Sequence, residues 1–335
     1  ISDGYSLEAF IDLYGYDAFD RPVMTYPAIT QIRKSEQAEV VVASSANLSV
    51  EYSLRIYESC SGKRRKLDKR KNVVDGERPW LFGSRDEIDL VKEVEGRFPL
   101  IEDAGCRVFI GAATGANEVY FIDPMEVQVE PSRVVPKITA RELRSGQLSW
   151  DGKCLINTYD DNGVVDLRYY PLLERYMLEH SDRLKGRHVA KKAPTRWYKT
   201  IDRVYVERAA MSKLLIPDIG ESPIAIVDEG VYHPTNSIYY ICSDGWDLNA
   251  LRVVLLSRIG KLFIATYSTK IAQGYLRYQA QHLRKLRIPP WESIDNELRM
   301  GMIRAGREDD RGAFTRLVCE LYELTPSERL TLGED

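Results

Sequence analysis

The sequence predicts an α+β fold in which short strands mixed with helices are followed by a helical C-terminal segment. Three observations carry this. Runs of β-branched and aromatic residues, such as VMTYPAITQIRK (23–34) and SIYYICS (237–243), are short and separated by Gly, Pro, Asn and Asp turns. Two stretches, 84–98 and 171–186, carry apolar residues at helical spacing. Beyond residue 247 that spacing dominates. With 335 residues, 44% hydrophobic and 29% charged, the chain has a globular composition and room for one large domain or two ordinary ones. No apolar run is long enough to span a bilayer.

Taken in order, SLEAFIDLYG (6–15) suits a strand or a short helix, 23–34 a strand whose Pro27 marks an edge or bulge, and AEVVVAS (38–44) another strand. Segment 46–83 holds the basic run KRRKLDKRK (63–71) and reads as a linker. Ser84 is the predicted N-cap of a helix over 84–98, with Glu87 completing a capping box. Ile88, Val91 and Val94 form its inner stripe, and Gly96 and Pro99 end it. RVFIGAATGANEVYFI (107–122) reads as strand, small polar turn, strand. Gly111 and Gly115 admit positive φ, and a turn this small lets backbone N–H groups approach a phosphate or a base edge. An ordinary hairpin without a ligand is the alternative. Short strands are expected at 127–135 and 153–159, with turns at Ser145-Gly146 and Asp161-Asn162-Gly163. The 171–186 helix turns Leu172, Leu173, Tyr176, Met177 and Leu184 inward. Further strands are expected at VYVERA, KLLIPDI, PIAIVD and SIYYICS within 203–241. Asp247 caps an apolar helix over 247–268, and 295–325 is helical, with Leu298, Ile303, Phe314, Leu317, Val318 and Leu321 as its apolar positions.

The net charge of −3 is against a uniformly basic surface, but the charge is segregated. Cations cluster in 63–71, in 183–203 and at Arg284-Lys285-Arg287, and acids in 86–103 and 292–335. The five cysteines are scattered without a CxxC pair and the four histidines form no ligand-spaced cluster, so no structural metal site is expected and the thiols read as reduced, in a cytoplasmic protein. Nuclease chemistry needs an acid followed by a Glu-x-Lys-like pair; Asp218 and Glu221 are close together but no Lys follows. A Gly-x-Ser-x-Gly nucleophile elbow is missing. Arg196-Trp197-Tyr198-Lys199 interleaves two rings with two cations, the pattern that neutralises phosphates and stacks on bases or sugars; the alternative is a Trp197 that anchors a core.

Four segments in order, the Gly-x-x-Thr-Gly-x-Asn hairpin, YPLLERYMLEHSDRLKGR (169–187) with RWYKT (196–200), the 213–241 tract and LRKLRIPP (283–290), resemble the specificity region of adenine-specific DNA methyltransferases of type II restriction-modification systems, the TaqI-like family and its larger relatives. The resemblance covers most of the chain. It implies that residues 1–45, with Asp17-Ala18-Phe19 and Tyr26-Pro27, are the closing strands of a Rossmann-like methyltransferase domain. It further implies a linker and connecting helix over 46–105, a mixed α/β target-recognition domain over 106–290 and a helical segment over 291–335. The chain lacks an initiator Met and reads as the continuation of something longer. The family's Asn/Asp-Pro-Pro-Tyr/Phe loop is missing, since Ile288-Pro289-Pro290-Trp291 lacks the acceptor, and so is a Gly-rich loop for S-adenosylmethionine. No catalytic residue is therefore assigned. S-adenosylmethionine is expected for a full-length parent and not for this fragment, which is expected to be inactive alone.

The resemblance implies double-stranded DNA as partner and no membrane, with a cognate restriction endonuclease activity in the same system as a further candidate. Phe19, with Tyr26 as fallback, is the candidate for stacking on a flipped adenine. The candidate DNA-binding residues are Thr114, Gly115, Asn117, Arg187, Lys191, Lys192, Arg196, Trp197, Tyr198, Lys199, Lys213 and Lys270. Asp228 is placed beside the cleft or as a turn cap, and Gln273 as an adenine reader or an exposed side chain. The alternatives are a protein-interaction module without DNA binding, a fused endonuclease-methyltransferase specificity region, and a hydrolase with an unrecognised site.

Overall fold

The computed structural model describes residues 4–13, 27–37, 39–44, 69–71, 73–74, 80–268 and 275–334. The fold is α+β. Near the N-terminus β1 (Ser6–Asp12) lies between the antiparallel β2 (Ala28–Arg33) and the parallel β3 (Val40–Ser44), and β4 (Lys69–Arg70) closes the other edge. Leu7, Val40, Val42 and Val73 bury one face, over which Trp80 and Phe82 pack; Phe82 stacks on Phe10 at 3.6 Å. Helix α1 (Arg85–Arg97) follows, with the expected capping box: the Ser84 hydroxyl accepts from the Glu87 N–H, and the Glu87 carboxylate accepts from the Ser84 N–H.

The centre of the molecule is an antiparallel sheet of four strands, β5 (Cys106–Ile110), β11 (Lys213–Pro217), β13 (Ile226–Asp228) and β15 (Ile238–Ser243), in the order β13-β11-β15-β5. Alternation along each strand divides its side chains between two cores. Val108, Leu214, Ile216 and Ile241 join α1 and the helices α7 (Leu248–Leu256), α8 (Arg258–Tyr267), α10 (Asn296–Glu308) and α11 (Arg311–Leu321) in the largest core. Leu215, Ile238, Tyr240 and Cys242 face the other way, onto Ile138 and Leu143. Both faces are covered, so every residue of β11 is buried, as its continuous apolar run requires. The large core takes residues from Leu90 to Leu332, on both sides of residues 105 and 290.

The helix expected over 247–268 is two. Ser257 breaks it by capping the second: its Oγ accepts from the Gly260 N–H at 3.1 Å and donates to the Val254 carbonyl at 2.7 Å. A Cβ on Gly260 would meet that carbonyl at 2.2 Å.

The hairpin expected over 107–122 does not form. β5 pairs with β15, whereas β6 (Phe121–Ile122) pairs with β8 (Cys154–Ile156) in a second sheet, ordered β14-β7-β8-β6 and completed by β7 (Val134–Ile138) and β14 (His233–Pro234). Residues 111–116 thus carry the chain from one sheet to another. Gly111 passes so close to Thr235 that a Cβ would sit 2.2 Å from its carbonyl oxygen, and Ala112 forms a parallel bridge with Thr235. Thr114 Oγ1 then donates to Asn117 Oδ1 at 2.6 Å and accepts from the Ala116 N–H at 3.1 Å, which starts a one-turn helix, α2 (Asn117–Tyr120), where extended backbone was expected. A third apolar core, including Val119, Tyr120, Leu155, Ile156 and Tyr198, binds this sheet to α3 (Pro171–Glu179) and α4 (Ser181–Lys185). Three other expectations shift: the helix expected over 171–186 is interrupted at His180, the strand expected over 127–135 begins only at Val134, and VYVERA forms a short helix, α6 (Val206–Ala209), instead of a strand.

Candidate nucleic-acid interface

The small-residue motif and the basic tract 183–203 fold onto each other. The Ile201 N–H donates to the Thr114 carbonyl and the Asp202 N–H to the Ala113 carbonyl, while the Asp202 carboxylate accepts from the Ala113 N–H at 2.9 Å. Gly115 takes φ +76°, and its missing side chain leaves room for Ile201, which a Cβ would approach to 2.8 Å. At the joint sits Arg187. Its guanidinium donates to the carbonyls of Thr114, Trp197 and Lys199, each at 2.8 Å, to that of Leu184 at 3.1 Å, and to the Tyr120 hydroxyl at 2.9 Å. Tyr120 in turn donates to the Tyr198 carbonyl at 2.6 Å.

This geometry divides the sequence-predicted DNA residues. Thr114 is buried, Tyr198 is buried with its hydroxyl donating to the Val165 carbonyl, and Arg187 is taken up by main-chain carbonyls; all three build the surface instead of presenting themselves on it. Gly115, Asn117, Lys191, Lys192 and Arg196 are exposed, and Trp197 and Lys199 half-buried. Lys191 and Lys192 close helix α5 (His188–Lys192), and Arg196 lies in the turn that follows. Trp197 packs edge-on against Tyr198 at 5.7 Å and carries the Lys185 ammonium 5.1 Å from its ring centre, so the half-buried indole anchors a cation at the surface. Arg183 is paired with Glu118.

A second cationic feature joins parts of the other two basic runs. A cleft of about 520 Å³ between β4, α1 and the end of α8 is lined, among the described residues, by Arg70, Lys71, Arg85, Lys92, Lys285 and Arg287 and by the carboxylates Asp89 and Glu95. Glu95 is engaged, accepting from the Tyr267 hydroxyl at 2.5 Å, and Lys285 lies 5.7 Å over the Tyr267 ring. A cleft with this excess of positive charge suits phosphate oxygens. Arg85 and Lys92 were not singled out in the sequence because they stand in a stretch that is acidic on average.

Lys213 corrects the expectation that it borders a cleft, and Asp228 takes the turn-capping alternative. They lie in the core with side chains 0% and 1% exposed, Nζ 2.6 Å from Oδ2. Lys213 also donates to the carbonyls of Ala209 and Met211, and Asp228 accepts from the N–H groups of Val231 and Tyr232. The pair ties two turns together and is out of reach of a macromolecule. Asp218, weighed earlier for nuclease chemistry, faces Arg277 at 3.7 Å, and among the described residues no group of acids, histidines or cysteines could hold a metal ion. Ile288-Pro289-Pro290-Trp291 belongs to the structural core: Ile288 and Pro289 are buried, and the Pro289 carbonyl accepts from the Trp246 indole at 3.0 Å. It does not fit a methyl-transfer loop. Phe19, Tyr26, Lys270 and Gln273 lie outside the described residues. No described helix is long and apolar enough to cross a membrane.

No protein-family model matches the chain. Over 99% of its length it is 41% identical to the Type II methyltransferase M.PaeR7I of Pseudomonas aeruginosa, and over 98% it is 39% identical to the Type II methyltransferase M.XhoI of Xanthomonas vasicola. It spans 59% and 62% of the lengths of these relatives. Among solved structures, the Type IIL restriction-modification enzyme MmeI, in complex with DNA, shares the fold with a TM-score of 0.55 at 10% identity, over 98% of this chain and 45% of that one.

Proposed function

We infer that this chain, homologous over nearly its whole length to type II methyltransferases, is the target-recognition part of an adenine-specific DNA methyltransferase in a restriction-modification system. The observation that carries the reading is the joining of the 111–117 segment to the cation-bearing turns that follow α4. One half-buried arginine fixes both, and Lys185, Lys191, Lys192 and Arg196 are left at the surface. Such cations set affinity for the phosphate backbone and its salt dependence, while neighbouring side chains read bases. The cleft around Lys92 and Arg287 supplies a second set of phosphate contacts. The described residues hold no loop suited to S-adenosylmethionine or to the target amino group, so cofactor binding and methyl transfer fall to the remainder of a protein as long as its relatives. The fragment alone binds duplex and does not methylate it.

Titration of a fluorescent duplex with the 335-residue chain at several salt concentrations tests this. Binding whose logarithm falls steeply with the logarithm of salt supports it. No binding at low salt overturns it and favours a protein-interaction module.

A further inference from the structure

We propose that Arg208, held between Tyr205 and Phe109, is a specificity-determining contact that reads a guanine edge in the major groove; the proposal rests on the DNA-recognition reading above. The Arg208 guanidinium carbon lies 3.8 Å over the centre of the Tyr205 ring and 4.9 Å over that of Phe109. Phe109 stacks on Tyr240 at 5.3 Å and 28°. Tyr205 also meets Arg203 at 5.2 Å, and Arg203 is fixed by donating to the Asp160 carbonyl at 2.8 Å. Cation and ring thus alternate from Arg203 through Tyr205 and Arg208 to Phe109, which stacks on Tyr240.

Three properties separate this arrangement from an ordinary surface arginine. Rings over a guanidinium hold its plane and leave its N–H edge as the open side, and that edge matches the paired O6 and N7 acceptors of guanine. Among the described residues no carboxylate pairs with Arg208, whereas Arg107, Arg183 and Arg284 each have one. The arrangement also continues the surface already described. Asp202, next to Arg203, is bonded to Ala113 of the small-residue motif, and Ile110 and Val206, next to Phe109 and Tyr205, are exposed. Phosphate-binding cations would therefore stand beside a preorganised reader of bases.

Selection from a pool of random duplexes, with sequencing of the bound fraction, tests the proposal on the full chain and on Arg208→Ala and Arg208→Lys. The lysine variant keeps charge and stem and loses the flat fork. The chain should enrich a motif containing guanine. Both variants should lose discrimination at one guanine position, by roughly tenfold to a hundredfold, while affinity for the unselected pool stays within about threefold. A lysine variant that enriches the same motif with the same discrimination overturns the proposal, as does a parent chain that binds duplex without sequence preference; either result leaves the DNA-binding reading standing. A parent chain that binds no duplex overturns both.

Discussion

Arg187 donates to the Thr114 carbonyl at 2.8 Å across 73 residues of sequence, and the same guanidinium holds the carbonyls of Trp197 and Lys199. The motif first read as a DNA-contacting turn and the tract first read as a DNA-contacting cationic run are therefore two sides of one structural joint. Arg187→Ala would leave these carbonyls and the Tyr120 hydroxyl without their donor, at a cost of about 1–3 kcal/mol. Urea denaturation should show that loss in the midpoint. Arg187→Lys should recover little of it, since one ammonium cannot reach acceptors set around a planar fork. A variant with parental stability and weakened DNA binding would restore Arg187 to the surface.

Neutralising the exposed cations should act on binding alone. In Lys191→Gln/Lys192→Gln/Arg196→Gln the slope of log affinity against log salt should fall by about 2–3, with the selected sequence unchanged. Unchanged slopes would remove these side chains from the interface.

The buried pair makes an opposite prediction. Lys213→Met leaves the Asp228 carboxylate in the core with only backbone donors, and should cost about 3–5 kcal/mol of stability. Thermal and urea melts read this directly. An undiminished melting temperature together with reduced duplex affinity would return Lys213 to the role the sequence suggested.

His233, in the short strand beside β7, has its pKa lowered to about 4, chiefly by burial, with the Lys213 charge adding to the shift. Its neutral form is the one compatible with the fold. Between pH 6.5, where the unfolded imidazole titrates, and about 4, the unfolded state binds the extra proton. Stability should therefore be complete above pH 6.5 and fall as pH drops through that window, by about 3 kcal/mol from this group. Comparing the pH dependence of unfolding with that of His233→Gln isolates the contribution; equal slopes in both proteins would refute it.

The sequence was most legible where local chemistry decides structure. The Ser84–Glu87 capping box and the Asp247 cap lie where pattern alone put them, because each is satisfied within a few residues; the apolar run of β11 was legible because a strand covered on both faces must be apolar throughout. It was least legible where distant partners decide. Residues 107–122 have the pattern of a hairpin, yet Thr235, far along the chain, takes the place of a cross-strand partner at Ala112. Residues 204–209 have strand propensity, yet they close a turn in which Lys213 binds the Ala209 carbonyl. The same limit governs the candidate interface. Spacing identified cationic tracts, but it could not tell the carbonyl-bound Arg187 from the exposed Lys191, nor bring Arg203, Tyr205 and Arg208 together with Phe109.

The core that runs from Leu90 to Leu332 also has a consequence for how the molecule is made. Val91 and Phe314 share it, and Arg97 reaches Glu328, in the helix Pro326–Thr331, at 3.8 Å. On the ribosome, the helical side of the central sheet cannot close until residues as far as Leu332 have left the exit tunnel. The lobe between residues 112 and 204 has its own apolar centre and can collapse long before that. Synthesis would thus yield a finished outer lobe attached to an open, sticky sheet, the stage at which a nascent chain most needs a chaperone.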